Sequence, residues 1–277
     1  MDYADQLRSA IENSDVNALL SVLKDANDAE EDLAAIVKGS EKEVAGLLFE
    51  GLKEEETHDH SAIFLSRICA GSKDCLLAVC ELLKGKETVL AAGSAAVLSN
   101  VCARSPATCA KLPPWVVDSL VSIVKKKPAK EAFVDRRRWS RARAVEALGA
   151  MGDAKAIPAL VAAIGDSDPM IVLRARYALV DMDDTKKVFA ELLALLQNEK
   201  RVVPVVGALW VIEKIALRMP EEEAADLVLL IPVLANLLAT SGDAEVQLRS
   251  ARAIVNLDRE KGIAEIAGLL GKDFGPR

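Results

Sequence analysis

The apolar residues of this chain recur at helical spacing, most regularly between residues 139 and 182. Two consecutive apolar faces stand out there, Val145, Leu148 and Met151 on the first and Ile157, Leu160, Val161 and Ile164 on the second. Gly152-Asp153 and Gly165-Asp166 mark turns, because glycine favours a helix end and aspartate the next helix start. Pro158 falls near a helix start, where its missing N–H costs little. The pattern predicts helices joined by short turns.

The same text returns further along the chain. IPALVAAIGDSD around Pro158 matches IPVLANLLATSGD around Pro232, and LRARYALVDM from Leu173 matches LRSARAIVNL from Leu248. These pairs lie roughly two repeats of about 37 residues apart, a period typical of solenoids. The repetition predicts fifteen or sixteen helices stacked as antiparallel pairs, with no strands.

An aspartate precedes an arginine by six positions in three of the repeats. Each aspartate falls near a helix start and each arginine one and a half turns later, so stacked repeats would bring them into a structural ladder. The predicted ladder consists of Asp135, Arg141, Asp168, Arg174, Asp243 and Arg249. The middle repeat departs from it, with Lys200 and Val206 at the equivalent positions.

These features resemble known repeat families. Residues from about Arg136 to Leu270 resemble HEAT repeats, especially the short type first described in phycobilin lyases. LLAVCELLKGKETVLAAGSAAVLSNVCARSP, with Gly93 and Asn100 in its long helix, resembles an armadillo repeat. The resemblance implies an all-α solenoid of stacked antiparallel helix pairs, a HEAT/armadillo-like superhelix.

The expected organisation is a single α-solenoid over residues 1–277. It comprises a looser armadillo-like half (1–127), a basic inter-repeat segment (125–138) and a regular HEAT half (136–277). Upstream, residues 2–53 predict four short amphipathic segments with breaks near Ser14-Asp15, 25–28 and 38–40.

Enzymes with similar repeats are disfavoured by the residues present. Deoxyhypusine hydroxylases hold iron with His-Glu pairs, whereas this chain has only His58 and His60, which point apart on a helix. No aromatic-rich helix marks a bilin pocket, and the three tryptophans do not converge as in HEAT-like DNA glycosylases. We therefore expect no enzyme activity, no catalytic residue, no metal and no cofactor. A cofactor-handling or lyase-type HEAT protein remains the weaker alternative.

The peptide-binding ladder of armadillo proteins is not reproduced either. That ladder places an asparagine near the end of the third helix and a tryptophan one turn earlier. Asn100 has Ala96 at the tryptophan position, and Trp210 has Glu213 near the asparagine position. We expect Asn100 to serve in capping or packing.

Composition and cysteine usage favour a cytoplasmic protein. The chain is 51% hydrophobic but only 4% aromatic, and it shows neither a signal peptide nor an apolar run of about 20 residues. The five cysteines lie inside apolar helical patterns without CxxC pairs, which predicts reduced, buried thiols.

Positive charge concentrates between Lys125 and Arg143. Nine basic and two acidic residues give this segment +7 in a chain of net charge −7. Such a cluster favours an anionic partner, although a solvated loop explains it as well. The candidate partner-binding residues are Lys125, Lys126, Lys127, Lys130, Arg136, Arg137, Arg138 and Trp139.

The function expected from the sequence is that of a non-catalytic scaffold or adaptor. It would bind a protein partner, for which an acidic surface or tail is one candidate, through a concave face lined by the second helix of each repeat. The alternative is a nucleic-acid-associated protein that contacts RNA or DNA phosphates through residues 125–143. We expect a monomer or a subunit of a hetero-complex, without membrane contact.

Overall fold

A computed structural model describes residues 3–28, 33–54, 56–70, 72–85, 88–126, 136–219, 229–259, 262–264 and 266–268. Sixteen α-helices and no strand occur in these ranges. The fold class is the predicted all-α solenoid. The chain divides into two compact units, residues 1–151 and 152–277.

The first unit contains ten helices, several of them short. They are α1 (Tyr3–Glu12), α2 (Val16–Asp28), α3 (Leu33–Ile36), α4 (Glu41–Gly51), α5 (His58–Cys69), α6 (Lys73–Glu81), α7 (Thr88–Arg104), α8 (Pro106–Cys109), α9 (Trp115–Lys125) and α10 (Arg136–Met151). Helix α7 packs between α5 and α10, and α9 packs on α10. Two of the three breaks expected in residues 2–53 are confirmed by the positive φ of Ser14 and Gly39. The third, expected at 25–28, is wrong, because α2 continues through these residues and ends at Asp28.

The second unit contains six helices in two rows. They are α11 (Ile157–Ala163), α12 (Pro169–Val180), α13 (Thr185–Asn198), α14 (Val202–Arg218), α15 (Ile231–Thr240) and α16 (Ala244–Leu257). Consecutive helices pair as α11 with α12, α13 with α14, and α15 with α16. The first helices α11, α13 and α15 contact one another in sequence, as do the second helices α12, α14 and α16.

Local signals fix where the helices of the second unit begin. The side chains of Asp153, Asp168, Asp184 and Asp243 each accept a hydrogen bond from a backbone N–H of the following turn. Gly152 takes the left-handed conformation, with φ of 66°, that a residue with a side chain rarely adopts. Pro158 lies in the first turn of α11, as predicted.

Helix α10 belongs to the first unit, although the sequence placed it in the regular half. Its apolar residues Ala144, Val145 and Leu148 are fully buried where it packs on α7 and α9. That the two units form one continuous solenoid stays a prediction.

The prediction of reduced cysteines is wrong for four of the five. Disulfides join Cys69 to Cys75 and Cys102 to Cys109, with Cα–Cα distances of 5.0 and 5.3 Å. Each pair spans the end of one helix and the short helix that follows, so the turn between them folds the two thiols together. Cys80 is free and buried. The cytoplasmic location stays a prediction, now without this support, because disulfides are rare in the cytosol.

Candidate functional site: the second-helix face

Exposed apolar side chains concentrate on the second helices of the second unit. Seven of the ten exposed large apolar side chains among the described residues belong to α12, α14 and α16. We call the solvent side of these three helices the second-helix face. Its exposed apolar residues are Met170, Leu173, Tyr177, Val202, Val203, Leu217 and Leu248.

An aromatic pair joins two of these helices. The rings of Tyr177 on α12 and Trp210 on α14 meet edge to face, with centroids 5.4 Å apart and planes at 78°. The ammonium of Lys214 lies 5.9 Å from the centroid of the Trp210 ring. Such a pair is worth about 0.5–1.5 kcal/mol beyond its buried area, which holds both rings in place. Tyr177 nevertheless remains more than half exposed.

The same helices carry an excess of positive charge, although the chain as a whole has a net charge of −7. Their cations are Arg174, Arg176, Lys214, Arg218, Arg249 and Arg252, against the two carboxylates Glu213 and Glu245. The face is therefore both apolar and cationic.

Glu213 is the buried centre of this charge cluster. Its carboxylate lies 3.1 Å from Nη1 of Arg249 and 3.8 Å from Nη1 of Arg252. Arg249 also pairs through Nε with Glu245, one turn earlier on α16, at 2.6 Å. The amide of Asn256 donates to the backbone carbonyl of Glu213 at 3.4 Å. The cluster thus binds α16 to α14.

Arg176 has no such partner. Its Nε is buried without a hydrogen bond, and it forms no ion pair with any residue that the structure describes. Burial and, secondarily, the charge of Arg249 lower the pKa of Arg176, but a guanidinium remains protonated at neutral pH. The side chain crosses α14 at Gly207, where a Cβ would lie 3.3 Å from Nε and 3.4 Å from Nη2.

The basic segment lies mostly outside the described residues. Lys125 and Lys126 are exposed at the end of α9, while Lys127, Lys130 and Asp135 are not described. Arg136, Arg137, Arg138 and Trp139 begin α10, but their side chains are not described. Their role in binding a partner stays a prediction.

Two cations of that segment have partners within the first unit. Arg141 is buried, and its Nε donates to the Val124 carbonyl at 3.0 Å. Arg143 pairs with Asp59 at 3.2 Å and with Glu146 at 3.1 Å. These contacts hold α10 against α9 and α5.

The residues of the proposed ladder take other contacts where the structure shows them. Asp168 and Asp243 cap α12 and α16, and Arg249 pairs with Glu213 across to α14. Arg174 lies half-buried on α12. The ladder itself stays a prediction.

The two histidines, His58 and His60, lie in the first turn of α5. Nδ1 of His58 donates to the Leu52 carbonyl at 2.8 Å, and the Thr57 hydroxyl donates to the Gly51 carbonyl at 2.7 Å. Thr57 occupies the N-cap position of α5 without a side-chain capping bond. Within the described ranges, no three His, Cys, Asp or Glu side chains are grouped to hold a metal, and no helix is long and apolar enough to cross a membrane.

Comparison with known proteins identifies the repeats. Residues 126–206 match the family model of HEAT repeats. The HEAT/armadillo-like resemblance expected from the sequence is thereby confirmed over these residues. No curated protein matches the sequence.

One solved structure shares the fold, and two others are less similar. Kap121p in its complex with Pho4p has a TM-score of 0.61 at 15% identity; the similarity covers 98% of this chain and 32% of the Kap121p chain. An engineered protein has a TM-score of 0.46 at 20% identity, and the similarity covers 98% of this chain and 72% of that one. A designed armadillo repeat protein in complex with the peptide (KR)4 has a TM-score of 0.42 at 18% identity, and the similarity covers 76% of this chain and 98% of that one.

Proposed function

We propose that this chain is a non-catalytic scaffold or adaptor that binds a protein partner through the second-helix face. The observation that carries the proposal is the concentration of exposed apolar side chains around the Tyr177–Trp210 pair. Repeat proteins stack equivalent helices side by side, which produces an extended surface for binding another chain.

The energetics of the face favour burial by a partner. Each Å² of apolar surface removed from water contributes roughly 25 cal/mol, and exposed apolar patches commonly mark interaction sites. Aromatic and arginine side chains dominate the binding energy of protein interfaces. Tyr177, Trp210 and Arg252 provide both types on neighbouring helices.

The nucleic-acid alternative receives less support. Arg141 and Arg143, two of the nine cations of the basic segment, are engaged inside the first unit, so phosphates would have to displace those contacts. The net charge of −7 also disfavours binding along a polyanion.

The proposal is tested by placing a charge on the face. Leu173→Asp alters a side chain that is 43% exposed on α12, and Ile63→Asp alters one that is equally exposed, at 43%, on α5 of the first unit. Both full-length variants and the wild type are used to capture proteins from a cell extract, and the captured proteins are quantified by mass spectrometry. Circular dichroism and thermal melts establish that both variants fold.

We expect the captured amount of a defined set of partners to fall about tenfold or more with Leu173→Asp, since burying an unpaired carboxylate is costly. The captured amount should be unchanged with Ile63→Asp. Equal capture by all three proteins would refute binding at the second-helix face.

A further inference from the structure

Gly207 allows Arg176 of α12 to pack closely against α14. Gly207 is buried, the position that its Cβ would take is filled by Cγ2 of Ile164, and Nε and Nη2 of Arg176 lie beside it. The guanidinium of Arg176 is also close enough to Arg249 of α16 for the two charges to repel each other. Gly207 and Trp210 are three residues apart on α14, so they are neighbours on one helix surface. Arg176 therefore lies beside the aromatic pair.

The charge of Arg176 is not balanced by an acid among the described residues. Arg249 and Arg252 share Glu213, and Arg249 has Glu245 in addition. No acid in the described structure pairs with Arg176, and its buried Nε has no acceptor. A half-buried guanidinium beside a second cation gains free energy when an anion enters.

The chemistry of the surroundings selects the anion. A guanidinium binds a carboxylate with two parallel hydrogen bonds. The aromatic pair and Leu173 add an apolar surface, which suits a peptide side chain. In an extended peptide, alternate side chains point the same way at intervals of about 7 Å. One peptide can thus present an acid and an apolar residue together.

We propose that the second-helix face binds an extended acidic peptide, whose Asp or Glu carboxylate is received by the guanidinium of Arg176 while a nearby apolar side chain packs on Tyr177 and Trp210. This inference rests on the proposed function and names the class of partner. A basic peptide would meet an unbalanced cation, and a nucleic acid would be repelled by the net charge of −7 over most of the chain.

The experiment starts from a phage-displayed library of random twelve-residue peptides selected on the full chain. Selected peptides are synthesised with a fluorophore and titrated by anisotropy, each beside a version in which the acidic residue is changed to its amide. The chain variants are Arg176→Gln and, as a control outside the second-helix face, Arg8→Gln. Arg8 is an exposed cation of α1 that pairs with Asp5 at 3.3 Å.

We expect the selected peptides to be acidic, with an aromatic or aliphatic residue near the acid. The acid-to-amide change should weaken binding to the wild type about tenfold, the effect of one charge-assisted hydrogen bond. Against Arg176→Gln the same change should weaken binding less than about twofold, whereas Arg8→Gln should behave as the wild type. If Arg176→Gln unfolds, Arg176→Lys, which keeps the charge without the fork, should show an intermediate loss.

Several results would overturn the inference. The selection could yield no binding peptide, or only neutral or basic peptides. The acid-to-amide change could weaken binding equally for wild type and Arg176→Gln, or a twelve-nucleotide single-stranded RNA could bind through Arg176 more tightly than the peptides do. The two proposals fail separately. Selected peptides that bind Leu173→Asp as well as wild type contradict the face itself, whereas neutral peptides lost with Leu173→Asp contradict only the acidic partner.

Discussion

The buried carboxylate of Glu213 offers the sharpest test of the charge cluster. Glu213→Gln keeps the shape of a side chain that is only 11% exposed and removes its charge. Arg249 then retains Glu245 alone, and Arg252 loses the acid that lies 3.8 Å away. Since Arg176 already lacks a partner, the substitution leaves three neighbouring guanidinium groups with one carboxylate among the contacts described.

The expected loss follows from the two contacts. Breaking a buried ion pair costs 3–5 kcal/mol when the remaining charge has no other partner. Here Arg249 keeps one acid, Arg252 is 56% exposed, and glutamine still accepts a hydrogen bond. We therefore expect the free energy of unfolding to fall by about 2 kcal/mol, the difference between a charged and a neutral bond to Arg249 plus the added repulsion. Glu245→Gln is the matched control, because Glu245 contacts the same arginine but is 46% exposed. It should cost about 0.3–0.5 kcal/mol.

Urea denaturation gives the global change, and hydrogen exchange of the α14 and α16 amides shows whether it is local to the cluster. Raising NaCl from about 50 to about 500 mM should reduce the difference in unfolding free energy between wild type and Glu213→Gln, since salt screens the exposed part of the repulsion among the arginines. An acidic peptide should bind Glu213→Gln more tightly than wild type, because the competing carboxylate is gone. A Glu213→Gln variant as stable as Glu245→Gln would refute this account.

Further predictions concern packing, capping and the free thiol. Gly207→Ala should destabilise the chain by about 1–3 kcal/mol, because its Cβ would overlap Cγ2 of Ile164. Adding Ile164→Ala should cost less than the sum of the two single changes, as measured by urea denaturation. Asp243→Ala should cost about 1 kcal/mol, since its carboxylate caps α16; Ser40→Ala, at an N-cap without a side-chain bond, should cost almost nothing. Burial raises the pKa of the Cys80 thiol to about 12, so iodoacetamide at pH 8 should label no thiol in the native chain. One thiol should react after denaturation without reductant and five after reduction, counted by mass spectrometry; more than one before reduction would contradict the disulfides.

Sequence predicts the helices because the signals that form them are local. Gly152, Asp153 and Pro158 act within one turn of where they stand, so periodicity and capping rules locate α11 correctly. The prediction of reduced cysteines is wrong for a related reason. It treats Cys69 and Cys75 as positions along one continuous helix, whereas they lie on either side of a turn. Only the fold shows that this turn brings the two thiols together.

The site at Arg176 could not be predicted in this way, because its residues are distant along the chain. Arg176 and Gly207 are 31 positions apart, and their contact depends on how α12 packs on α14. One signal was available in the sequence: Arg176 lies next to Tyr177 in a helical segment without an acid. In the sequence, Trp210 and Glu213 depart from the armadillo peptide ladder. Only the structure shows that Trp210 lies at the surface and that Glu213 is buried under arginines.

The salt dependence of peptide binding would show whether one guanidinium or a spread of positive charge dominates the face. Charges separated by more than about 8 Å are largely screened at physiological ionic strength, so the acidic remainder of the chain does not prevent a carboxylate from reaching Arg176. A polyanion that displaces several counterions loses affinity steeply with salt, in proportion to the charges neutralised. One carboxylate on one guanidinium should instead weaken by no more than about fourfold between about 50 and 200 mM NaCl. A tenfold or larger change would mean that Lys214, Arg249 and Arg252 bind the peptide together, and Arg176→Gln would then remove only part of the affinity.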